Sequence, residues 1–68
     1  MMGEVAVVLN YRACVLARMG AVLEQHDFPA PSDSAALLHA RHYLRRQEVE
    51  VWQVNRLVGR LKPAGQPE

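Results

Sequence analysis

The chain is short of almost everything that staples a small domain. It has one cysteine, Cys14, in 68 residues, so no internal disulfide can form. Its three histidines do not make a metal signature. His39 and His42 lie three apart and His26 lies far upstream, with no acid or Cys at zinc-ligand spacing. Neither a metal nor a cofactor is expected. An excess of one charge is also missing: eight Lys and Arg balance seven Asp and Glu, for a net charge of +1. That excludes nucleic-acid binding by bulk electrostatics. No apolar run is long enough without charge to cross a bilayer. Residues 5–23 are the most apolar window and contain Arg12 and Arg18, each costing about 2.5–3.5 kcal/mol at a bilayer centre. Met1-Met2-Gly3-Glu4 carries no basic region before the apolar stretch, so a secretory leader is not expected. With a lone thiol, the compartment implied is the cytoplasm. A Gly-rich phosphate loop and a Ser/His/Asp order are absent too, so an enzyme is not expected.

What is present is apolar mass, 50% of the residues. For this size, apolar burial of about 100 kcal/mol is nearly cancelled by about 100 kcal/mol of ordering entropy. A chain so balanced, and lacking staples, is expected to associate.

Prolines and glycines divide the sequence into two long segments. Residues 4–26 have no Pro and only Gly20; residues 35–58 have neither. Between them lies Asp27-Phe28-Pro29-Ala30-Pro31-Ser32-Asp33-Ser34. Ser32, Asp33 or Ser34 can cap a following helix. The spacing predicts an all-α fold: helix 1 over about 4–26, a turn at 27–33, and helix 2 over about 34–62. Residues 1–62 then form one antiparallel αα-hairpin domain, and 63–68 a disordered tail. Val5-Ala6-Val7-Val8-Leu9 is strand-prone by itself, but the longer period argues for helix.

That period is seven. Leu9, Leu16 and Leu23 share one heptad position, Val8, Val15 and Val22 the preceding one, and Ala6, Ala13 and Gly20 a small-residue position. Such a repeat predicts a coiled-coil seam. Its oligomer and core residues are Val5, Val8, Leu9, Val15, Leu16, Met19, Val22 and Leu23 from helix 1, with Leu37, Leu44, Val51, Val54 and Val58 from helix 2. The apolar arc on helix 1 covers most of the heptad, more than one neighbouring helix can bury. The hairpin is therefore expected to complete a four-helix bundle as a homodimer or to dock on a larger helical protein. Arg12 falls in mid-seam, either snorkelling to water or paired with Glu48 or Glu50.

The other face of helix 2 carries Trp52, the chain's only Trp, with Leu38, Arg41, Arg45, Val49 and Arg56. Trp flanked by Arg is the composition of a binding hot spot, and these six form the candidate partner site. The reading is a small non-enzymatic adaptor or regulator that masks, bridges or chaperones a partner through helix packing. A DNA-binding regulator using the Arg face of helix 2 is the alternative, and a membrane-surface helix ranks below it; no membrane partner is expected. In size and layout such a hairpin resembles small co-chaperones of type III secretion needles and phage-encoded inhibitors of host regulators. The likeness is one of architecture over about 4–62, with no shared motif.

Overall fold

The computed structural model describes residues 8–63 and overturns the helical hairpin. These residues form an antiparallel four-stranded sheet with one short helix on one face. Strand β1 is Leu9–Leu16, β2 Val22–Ala30, helix α1 Asp33–Ala40 with a 3-10 turn at Arg41–Tyr43, β3 Glu48–Gln53 and β4 Arg56–Leu61. The sheet order is β2-β1-β3-β4. Coiled coil, four-helix bundle and the layout likeness built on them fall with the hairpin. Val5 and the tail at 64–68 lie outside the described residues.

The local reason is a period of two running underneath the period of seven. In β1, Leu9, Tyr11, Ala13 and Val15 alternate with Asn10, Arg12 and Cys14. In β3, Glu48-Val49-Glu50-Val51-Trp52 alternates without a break. Alternation and β-branching suit a pleated surface with one face buried. The heptad rows are then a coincidence of spacing: Val15-Leu16 closes β1, Met19 and Gly20 form the following loop, and Val22 opens β2. Gly20, at φ +92°, takes the left-handed conformation that closes the three-residue loop between Ala17 and Ala21.

Of helix 2, the start survives. Ser32 is the N-cap, its Oγ accepting from the Ala35 N–H at 3.2 Å. The helix stops at Ala40 with no Gly or Pro to mark it. Leu44 is already extended, and the next residues are recruited into the sheet. Tertiary pairing of Val49 and Val51 overrides a run that lacks helix breakers.

The core lies between the helix and one face of the sheet. Tyr11, Ala13, Val15, Phe28, Ala30, Val49 and Val51 meet Ala36 and Ala40 there, all buried. Small residues at the contact let the helix sit close. A Cβ on Gly59 would stand 3.0 Å from Leu37 Cδ2. An aromatic ladder extends this layer, with Phe28 on His39 at 4.3 Å and His26 on Tyr43 at 4.2 Å between ring centroids. Asp33 ties three elements together. It accepts from Tyr11 Oη of β1 at 2.8 Å and from both terminal nitrogens of Arg56 of β4.

Candidate interaction surface: the open face of the sheet

A four-stranded sheet has two faces, and among the described residues only one is covered. The strand register assigns the other. Across the sheet, one row reads Asp27, Arg12, Trp52, Leu57 and the next Gln25, Cys14, Glu50, Arg60. These residues alternate with the core residues and point away from the helix. Cys14 and Leu16 are buried yet stand outside the helix-side core, as their position on this face requires.

Its centre is a shallow concavity of about 530 Å³ bounded by Asn10, Arg12, Cys14, Asp27, Trp52 and Val54. Arg12 holds Asp27 with two bonds, Nε to Oδ1 at 2.7 Å and Nη2 to Oδ2 at 3.2 Å. The hydrogen bond and charge of Arg12 hold the Asp27 carboxyl below its ordinary range. Glu50 accepts from Trp52 Nε1 at 3.2 Å, and its other oxygen takes Arg60 Nε at 3.1 Å. The indole edge is thus fixed while its ring stays partly exposed. Burial pushes the Cys14 thiol up, against the opposing charge of Arg12 and with smaller help from Glu50 and Asp27. It packs as a small hydrophobe and stays protonated.

One end of this face breaks two local rules. Val54 begins the two-residue turn between β3 and β4 at φ +58°, a conformation that a β-branched side chain rarely adopts. It is also 80% exposed. With Trp52 and Leu57 it makes an apolar corner at the hairpin tip.

The residues expected to form one seam and one partner site are dispersed. Val15 and Val51 are core; Leu9, Leu37, Leu44 and Val58 pack at its margin. Leu16 is buried on the open face, whereas Val8, Met19, Val22, Leu23 and Val54 are exposed. Of the six partner candidates, only Trp52 reaches the open face. Val49 is fully buried, because its place in β3 faces the helix. Leu38 is exposed on α1, Arg41 lies in the 3-10 turn, Arg45 in the loop before β3, and Arg56 binds Asp33. The Arg row proposed for a DNA groove required one helix and does not exist. Arg12 pairs with Asp27 rather than with Glu48 or Glu50. Asp27 and Leu57 were not singled out from the sequence, and Glu50 was named only as a possible partner of Arg12; the alternation at 9–15 and 48–52 was the signal that could have placed Arg12, Cys14, Glu50 and Trp52 on one face.

His39 and His42 lie 5.5 Å apart between ring centroids, and His26 stacks on Tyr43. Among the described residues no group of His, Cys, Asp and Glu could hold a metal ion, and no helix is long and apolar enough to cross a membrane. No known protein family, curated protein or solved structure matches the chain.

Proposed function

We propose that this protein is a small non-enzymatic interaction module whose working surface is the open face of its sheet, centred on Trp52. One observation carries this reading: the only Trp of the chain sits partly buried on a sheet face that no other described element covers, its edge anchored by Glu50, beside the exposed and strained Val54. An anchored aromatic with free ring surface, rimmed by polar groups, suits recognition of another protein. Chemistry is disfavoured there, since Asp27 and Glu50 are each engaged by an arginine and the Cys14 thiol is held protonated. The free thiol also fits a reducing compartment such as the cytoplasm.

The test is capture by immobilised chain with three baits. Wild type and Leu38→Glu, altered on the outer side of the helix, are expected to retain the same proteins. Trp52→Ala is expected to lose them while keeping its circular dichroism spectrum. Capture that survives Trp52→Ala and disappears with Leu38→Glu would place the working surface on the helical layer instead.

A further inference from the structure

We infer that the open face is closed by a second copy of this chain, packed sheet on sheet about a two-fold axis along the seam between β1 and β3. The inference rests on the open face being the working surface. Its starting point is that the sheet edges are guarded. On β2, Pro29 removes a donor and the register slips at Leu23; on β4 the register slips opposite Val51 and Trp52. Proline and bulges are devices that stop a strand from adding to an edge. Growth by strand addition is thereby opposed, and the face that no described residue outside the sheet covers is left for association.

The seam between β1 and β3 is the middle of the sheet. A two-fold axis along it exchanges β1 with β3 and β2 with β4. Each row then meets its own reverse. Arg12 faces Trp52 of the other copy, Asp27 faces Leu57, Cys14 faces Glu50 and Gln25 faces Arg60. No like charges oppose each other. A guanidinium lies over each indole, an arrangement favoured by the ring quadrupole. Glu50 meets a protonated thiol and Arg60 meets an amide oxygen. The alternative axis, perpendicular to the strands through the Arg12 row, sets Arg12 against Arg12 and Asp27 against Asp27. Charge therefore selects the first axis.

Size agrees with a modest, reversible dimer. Four strands at about 4.8 Å spacing and five residues at about 3.4 Å make a face of roughly 19 by 17 Å. With side-chain relief, the two copies bury on the order of 1,000 Å², the lower bound of specific association. Ion pairs Arg12–Asp27 and Glu50–Arg60 enter the interface already neutralised within each copy.

Sedimentation velocity over a concentration series, with Trp52 emission read in parallel, tests this. The mass is expected to climb from 7.7 kDa toward twice that value, and the emission to move to shorter wavelength with it. Leu57 supplies the test of register, because it is 38% exposed and faces Asp27 of the other copy. Leu57→Lys is expected to tighten the dimer and Leu57→Glu to weaken it, each by about two- to five-fold, with the contrast shrinking in high salt. Melting curves of both variants confirm that the protomer stays folded. Monomer mass up to millimolar concentration overturns the second-copy assignment; if Trp52→Ala still abolishes capture of other proteins, the open face stands as the surface for a different partner. A dimer indifferent to both Leu57 variants, together with capture indifferent to Trp52→Ala, overturns both readings.

Discussion

Asp33 and Arg56 face each other as a fork on a fork: Nη1 donates to Oδ2 at 2.9 Å and Nη2 to Oδ1 at 3.0 Å. They are 23 residues apart. The bond joins the first turn of the helix to the last strand, and Tyr11 Oη adds β1 to the same carboxylate. Both side chains are about half exposed, and it is the bidentate geometry that sets the pair apart from a single-point surface ion pair.

The pair sets an acid limit. The bonds from Arg56 and then Tyr11 bring the Asp33 carboxyl from its ordinary 3.8 down to about 2. A carboxyl depressed in the folded state gives stability that is fully present above its unfolded pKa and is lost as pH falls through the folded one. Melting temperature is therefore expected to fall as pH drops from about 4 to about 2. Asp33→Asn should be less stable at neutral pH and show a shallower fall over that window. Equal pH slopes for the two proteins would refute the pairing.

Val54 offers the opposite experiment. A β-branched residue at φ +58° stores about 1–3 kcal/mol, which glycine at the same place would relieve. Val54→Gly is expected to raise stability by about 1 kcal/mol, or roughly 4–8 °C in Tm for a domain of this size. If the open face is the working surface, the same change should weaken capture, because it removes an exposed apolar side chain beside Trp52. Lower stability in Val54→Gly would show that the turn is not strained.

Val49 and Val22 separate the two readings of the sequence. Val49 is fully buried against the helix, whereas Val22 is 50% exposed at the start of β2. Val49→Ala is expected to cost about 2 kcal/mol by urea denaturation, and Val22→Ala about 0.5 kcal/mol or less. A helical seam through Val22, with Val49 on the solvent side, would reverse the order.

Cys14 reports on the sheet from its other side. With 7% exposure and a thiol pushed up by burial, it should react slowly with a disulfide reagent in the native state and rapidly in denaturant. Fast labelling of native protein would mean that the open face is looser than described.

Several local features were legible without the fold. The Ser32 cap and the start of the helix that follows it come from residue types and their immediate neighbours. Tyr11, Ala13, Val15, Val49 and Val51 were written in an alternation of period two, but the same stretch of β1 also satisfied a period of seven. Short apolar runs satisfy both templates, and local propensity does not choose between them. The turn between β3 and β4 was hidden for a different reason: Val54 occupies a position where Gly or Asn would have announced a hairpin. Without that mark, residues 35–58 read as one helix.

The sequence by itself determined that this chain is small, unstapled, evenly charged and rich in apolar side chains, with a capped helix after residue 32. Only the tertiary structure decided that Val49 is core and Trp52 is surface, that Arg12 meets Asp27, and that Arg56 meets Asp33. The physical reason is that strand pairing is non-local. Which face a residue joins depends on register with strands tens of residues away, and a slip of one residue would exchange core and surface throughout the sheet.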